Sequence, residues 1–70
     1  MRHRQRLFDC VFARDRNEYR FPVRAGSAGE AGEHLRDSLA GNGVREAGTL
    51  LVRDRRGVVL LQADYAGLGG

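Results

Sequence analysis

The sequence contains no lysine, isoleucine or tryptophan, and it has only one cysteine, one proline and one methionine. A single cysteine cannot form an internal disulfide, so a small secreted domain held together by disulfides is not predicted. No apolar run approaches the roughly 20 residues that cross a membrane. The basic N-terminus reaches Asp9 too soon to leave room for the apolar segment of a signal peptide. We therefore expect a cytoplasmic protein that does not engage a membrane.

Four segments have the alternation or the apolar content of β-strands. Leu7 to Ala13 is apolar on both faces, which is typical of a central strand. Tyr19 to Ala25 alternates cleanly but contains Pro22, which cannot donate to a ladder, so this strand is predicted at a sheet edge. Thr49 to Val52 is a short third strand. Val58 to Tyr65 begins with the most apolar run of the chain and is predicted to be a buried central strand.

One helix is predicted between the second and third strands. Ser27 and Glu30 have the spacing of a capping box, in which the serine hydroxyl accepts from the glutamate amide. Apolar residues then recur at spacings of three and four along one face. Gly41 to Gly43 supplies a left-handed stop. The residues of the apolar stripe are Ala28, Ala31, Leu35 and Leu39.

The predicted fold class is α+β, with the order ββαββ and one helix packed on one face of a four-stranded mixed sheet. A right-handed crossover would place the first and last strands side by side and parallel, in the strand order 2-1-4-3. We predict a basic arm at residues 1–6, a single domain at residues 7–65 and a flexible glycine-rich tail at residues 66–70. The predicted core is Phe8, Cys10, Phe12, Tyr19, Phe21, Val23, Leu35, Leu39, Leu50, Val52 and alternate residues from Val58 to Tyr65.

This arrangement resembles the β-grasp fold, and the last four residues, Gly67 to Gly70, resemble the tail of ubiquitin-like modifiers and small sulfur carriers. The stretch from Tyr19 to Leu35 is also similar to their second strand and helix start. The resemblance implies that the Gly70 carboxylate is activated by an adenylating partner enzyme. Gly69 would stay small to pass the channel of that enzyme, and Leu68 would be an apolar grip. The protein itself would supply no catalytic group and no cofactor.

A cluster of arginines supports an alternative function. The N-terminal arm and the predicted turn after the third strand enter the same end of the sheet, so their side chains would form one basic pole. Arginines at such a pole can contact the phosphates of nucleic acid or an acidic partner. The alternative to a carrier is thus a small non-catalytic interaction module that binds a protein or nucleic acid. The residues of the predicted pole are Arg2, Arg4, Arg6, Arg53, Arg55 and Arg56.

Residues suited to catalysis or metal binding are sparse. Cys10 falls on the predicted core face, which favours a small buried hydrophobe over a nucleophile. His3 and His34, the only histidines, do not combine with the one cysteine into zinc-binding spacing. The carboxylates show no pairing suited to acid–base chemistry, and the glycines match no phosphate-binding loop. We do not predict an enzyme, a metal site or a cofactor.

Overall fold

A computed structural model describes residues 5–67, which fold in the chain order β1–β2–α1–β3–β4. The α+β class and this order of elements are as predicted. All neighbouring strands are antiparallel, and they lie across the sheet in the order β2–β1–β3–β4. The elements span Arg6–Arg14 (β1), Asn17–Ala25 (β2), Ala28–Gly41 (α1), Gly48–Arg53 (β3) and Val59–Tyr65 (β4).

The predicted strand order 2-1-4-3 and the mixed sheet are wrong. Strands β1 and β4 do run in the same direction, but β3 lies between them. In the observed order, the connection through α1 crosses only one strand, β1, before β3 pairs on the far side of β1. The predicted order would require it to pass over two strands with only six residues between α1 and β3, and short connections favour near neighbours.

Strand β3 is central because its residues fit closely against β1. Leu50 and Val52 are buried beneath the helix and face Phe12 and Cys10 across the ladder. At the start of the strand, Gly48 lies so near the Phe12 ring and the Ala13 carbonyl that a Cβ would come within 2.9 Å of both. Because Gly48 has no side chain, β1 and β3 can stay close together up to the start of β3.

The hydrophobic core lies between the sheet and α1, which contacts all four strands. Most of the predicted core is confirmed, and Val23 and Leu61 pack against it while partly buried. Cys10 has no exposed surface, as its position on the inner face predicted. The fully buried cluster consists of Phe8, Cys10, Phe12, Ala25, Ala31, Leu35, Leu39, Leu50, Val52 and Tyr65.

Two predicted core residues on β2 are exposed instead. Tyr19 is 45% exposed and Phe21 is 36% exposed, although both lie on the helix-facing side of the strand. Helix α1 starts three residues after β2 ends, so its first turn lies near Ala25 and the far half of β2 is left uncovered. The Tyr19 ring instead stacks beside Phe12, with ring centroids 6.4 Å apart.

The start of β4 is exposed as well, which corrects the prediction of a buried central strand. Val58, Val59 and Leu60 are each about half exposed because β4 is the last strand of the sheet. Only the second half of the strand turns inward, where Tyr65 is buried. The Tyr65 hydroxyl donates to the Val44 carbonyl at 2.9 Å and ties β4 to the loop that follows the helix.

Both predicted helix signals are present. The Ser27 hydroxyl accepts from the Glu30 amide at 3.2 Å and caps the N-terminus. At the C-terminus, Gly43 adopts a φ of +74°. The Gly43 amide donates to the Ala40 carbonyl and the Val44 amide donates to the Leu39 carbonyl. This pair of bonds is a Schellman motif, which satisfies the last carbonyls of the helix.

The close contact at Gly48 generates a prediction about stability. Gly48→Ala should lower the free energy of unfolding by about 1–3 kcal/mol because the new methyl group must displace the Phe12 ring or separate the strands. Urea denaturation followed by circular dichroism measures the change. Gly41→Ala is the matched control, since nothing lies within 4 Å of its Cβ position at the helix end. Equal stability of the two variants would contradict the proposed contact.

Candidate anion-binding groove

An arginine-lined groove lies at the end of the sheet where β1 and β4 begin and where β2 and β3 end. The antiparallel order of the strands brings these four ends together. The groove encloses about 630 Å³. We call it the arginine groove, and its lining residues are Gln5, Arg6, Leu7, Phe8, Arg24, Asp54, Arg55, Arg56 and Leu60.

Three different elements position the four arginines of the groove. Arg6 is the first residue of β1, and its guanidinium lies 5.3 Å from the centroid of the Phe8 ring. This is the geometry of a cation–π contact, which holds the side chain over the end of the sheet. Arg24 lies on β2 directly across from Leu7. Arg55 and Arg56 lie in the turn that joins β3 to β4.

The β3–β4 turn is locked by the carboxylate of Asp54. One of its oxygens accepts from the Arg56 amide at 2.8 Å and from the Val58 amide at 2.9 Å. Gly57 closes the turn with a φ of +87°, a conformation that glycine adopts without strain. Because this carboxylate oxygen bonds the backbone, Asp54 shapes the turn that presents Arg55 and Arg56.

The groove carries an excess of positive charge. Its lining has four arginines and one carboxylate. Within residues 5–67, none of these four arginines lies within 4.0 Å of an acidic side chain. Other arginines of the described chain do form ion pairs: Arg14 lies 3.5 Å from Glu46, and Arg53 lies 2.8 Å from Asp9. The groove can therefore attract an anion from outside the protein.

The structure brings together part of the predicted basic pole. Arg6, Arg55 and Arg56 share the groove, whereas Arg2 and Arg4 lie outside the described residues. Arg53 belongs to the open face of the sheet, where its side chain is 17% exposed and donates to Asp9. The sequence places Asp9 in the first strand, on the face opposite Phe8 and Cys10, but it does not identify the partner of Asp9, because the residue opposite it depends on the strand order.

Arg24 is the groove residue that sequence reasoning missed. The sequence places it in the predicted edge strand Tyr19 to Ala25 and identifies no particular neighbour for it. The hairpin pairing contains the missing signal, because Arg6 pairs with Ala25 and Leu7 pairs with Arg24. The end of β2 therefore meets the start of β1, and any basic residue there joins the pole.

The predicted carrier tail lies almost wholly outside the described part of the chain, since Leu68, Gly69 and Gly70 are beyond residue 67. Gly67 is described, and its backbone lies against the carbonyl of Arg45 with no room for a side chain. This contact lies at the end of the sheet opposite the arginine groove, where β1 ends at Arg14 and β3 begins at Gly48.

Outside the groove, the described chain has a buried thiol at Cys10 and an exposed imidazole at His34. Burial, and secondarily the charge of Asp9, raises the pKa of the Cys10 thiol above its ordinary value. Cys10 is therefore a neutral thiol in the core at neutral pH. His34 lies on the helix surface, 3.7 Å from the Glu30 carboxylate. Residues 5–67 contain no group of three or more His, Cys, Asp or Glu side chains arranged to hold a metal ion.

No protein-family model, no curated protein and no solved structure matches this chain. No helix formed by residues 5–67 is long and apolar enough to cross a membrane.

The turn that presents Arg55 and Arg56 can be tested through Asp54. Asp54→Ala removes the acceptor of two backbone amides and should lower the free energy of unfolding by about 1–3 kcal/mol. Asp54→Asn keeps a side-chain oxygen in the same place and should retain most of the stability. Thermal denaturation of both variants measures the difference. Melting temperatures of both variants equal to that of the native protein would show that the Asp54 side chain does not hold the turn.

The buried thiol predicts a loss of stability in alkaline solution. Below the unfolded-state pKa of about 8.5, both states keep the proton and Cys10 adds no pH dependence. Above it, the unfolded state loses the proton first because the folded pKa is raised, so the stability falls by up to about 1.4 kcal/mol per pH unit. Urea denaturation between neutral pH and pH 10 should show a shallower decline for Cys10→Ala. Parallel declines would mean that the folded thiol ionises normally.

Proposed function

We propose that this protein is a small non-catalytic binding module that engages the phosphate backbone of nucleic acid through the arginine groove. The observation that carries the proposal is the convergence of Arg6, Arg24, Arg55 and Arg56 on one surface. Guanidinium groups match phosphate oxygens in geometry and stay charged at all physiological pH values. The formal charge of +3 on the whole chain adds a general attraction for polyanions.

The lining of the groove favours phosphate contacts over base recognition. Phe8 is its only aromatic residue, and the ring is 2% exposed beneath Arg6. Single-strand binding depends on exposed aromatic side chains on which bases stack. The exposed aromatics of the described chain, Tyr19 and Phe21, lie on β2 away from the groove. We therefore expect binding with little sequence preference, and with duplexes bound at least as well as single strands.

An acidic protein is the main competing partner, because carboxylates also pair with arginines. Nucleic acid is favoured since a regular array of phosphates can satisfy several separated guanidinium groups at once. A poly-glutamate competitor of matched charge distinguishes the two. It should displace a labelled DNA duplex poorly, and displacement as efficient as that by unlabelled duplex would favour an acidic protein as the partner.

Charge removal at the groove tests the proposed function directly. Arg55→Gln combined with Arg56→Gln should weaken binding to a fluorescent duplex and flatten the salt dependence. Each lost phosphate contact lowers the slope of log K against log salt by about 0.9, so the expected reduction is about 2. Fluorescence anisotropy over a series of salt concentrations measures both quantities.

The control removes the same amount of charge at the opposite end of the sheet. The control variant is Arg16→Gln combined with Arg45→Gln. Arg16 lies in the turn between β1 and β2, and Arg45 lies in the loop before β3, so both are away from the groove. This variant should keep nearly the full salt slope. Equal losses for the two double variants would show that net charge, and not the groove, governs binding.

The carrier or modifier function is a second proposal that depends on the tail. It requires Gly70 as the activated residue, Gly69 as the small residue before it and Leu68 as an apolar contact for an adenylating enzyme. The intact mass of protein from its own host tests it. A C-terminal thiocarboxylate would appear as the replacement of one oxygen by sulfur, and a modifier would appear as an adduct through Gly70. The carrier or modifier function would be ruled out if the protein carried only a free C-terminal carboxylate and if Gly69→Ala had no effect in cells.

A further inference from the structure

Strand β4 presents an open outer edge of a kind that small proteins usually protect. It has no proline and no basic residue, and Asp64 is its only charge. The other edge strand, β2, has Pro22 near its centre and two arginines, Arg20 and Arg24, on the same side. Within the described sheet, β4 is therefore the edge that can accept another strand.

The backbone of β4 has groups that point outward at two known positions. The Arg36 side chain donates to the Asp64 carbonyl at 3.2 Å, which places that carbonyl on the outer edge. Outward groups alternate along an antiparallel strand, so the backbone of Gln62 also faces outward. A carbonyl oxygen has two lone pairs, so the Asp64 carbonyl can accept from a further amide while Arg36 stays bound.

A hollow between α1 and β4 lies directly beside this edge. It encloses about 270 Å³, and its apolar lining comes mainly from Leu50, Leu61 and Ala63. The helix contributes Gly29 and Gly32, and the charged residues Glu33 and Arg36 complete the lining. An apolar side chain from an added strand would extend the core at this point.

We propose that two copies of this chain pair antiparallel along β4, with Gln62 of one copy opposite Gln62 of the other. In this register Leu61 of each copy faces Ala63 of the other, so a large side chain meets a small one beside the hollow. Both residues lie on the helix-facing side of the sheet, opposite Val52 and Leu50 of β3. The result is a continuous sheet of eight strands, four from each copy.

The charges around β4 favour an antiparallel second copy. Antiparallel pairing about Gln62 places Asp64 beside Leu60 of the other copy, close to the turn that carries Arg55 and Arg56. The acidic end of one strand thus approaches the basic end of the other. A parallel arrangement would place the β3–β4 turns of the two copies side by side, and the positive charges of their arginines would repel each other. The two arginine grooves lie at opposite ends of the antiparallel dimer.

Sedimentation equilibrium from low micromolar to millimolar concentration tests the dimer. The native chain should approach twice its monomer mass of 7.8 kDa. Gln62→Pro removes an outward amide that β3 does not use, so the variant should fold but lose the dimer at every concentration. Gln62→Thr keeps the amide at the same position and should retain the dimer. A monomeric native chain at millimolar concentration would overturn the proposal.

Disulfide trapping provides a second test that does not depend on a folded proline variant. Gln62→Cys places two thiols opposite each other across the two-fold axis, and added oxidised glutathione should convert them to an intermolecular disulfide. Cys10 does not interfere because it is fully buried. Ser38→Cys, exposed on the helix, is the control and should cross-link at least tenfold more slowly. Equal rates would rule out this register. Neither readout depends on nucleic-acid binding, so the dimer and the proposed function stand or fall separately.

Discussion

The antiparallel pairing of β3 with β1 brings the most apolar strand faces of the molecule side by side beneath the helix. Phe12 lies opposite Leu50 and Cys10 lies opposite Val52, and all four are buried. Gly48 permits this pairing because any side chain there would meet the Phe12 ring. With β3 in the centre, β4 becomes an edge strand and its first residues stay exposed. Both proposed binding surfaces follow from this one pairing.

The arginine groove results from the strand order and from the engagement of the nearby acidic side chains in other contacts. The strand order gathers the start of β1, the end of β2 and the β3–β4 turn at one end of the sheet. The carboxylate of Asp54 bonds the turn, and Asp9 pairs with Arg53 on the open sheet face. The groove is left with arginines whose charge no described acidic residue offsets by contact. That local excess, more than the modest charge of the whole chain, supports an anionic partner.

Local signals in the sequence predicted the elements well, and they predicted the pairing of the strands poorly. The serine cap, the glycine stop and the apolar stripe of α1 act between residues close in sequence, so they could be recognised without tertiary information. The position of β4 depends on which strand the chain meets after the crossover. The apolar run from Val58 to Leu60 favours a buried strand, but such a run does not reveal whether a neighbouring strand covers it. Tyr19 and Phe21 alternate correctly but lie beyond the reach of the helix.

By itself, the sequence determined the α+β class, the chain order of the elements and the presence of a basic end, because these follow from periodicity and turn chemistry. Tertiary structure alone decided which further arginine joins the groove and which predicted one lies outside it. It added Arg24 through the hairpin register and engaged Arg53 with Asp9 across the β1–β3 ladder. The physical reason is that the side-chain neighbours of a strand residue are chosen by pairing and register, which join residues far apart in the chain. An ion pair between residues 44 positions apart, such as Asp9 and Arg53, has no local signature.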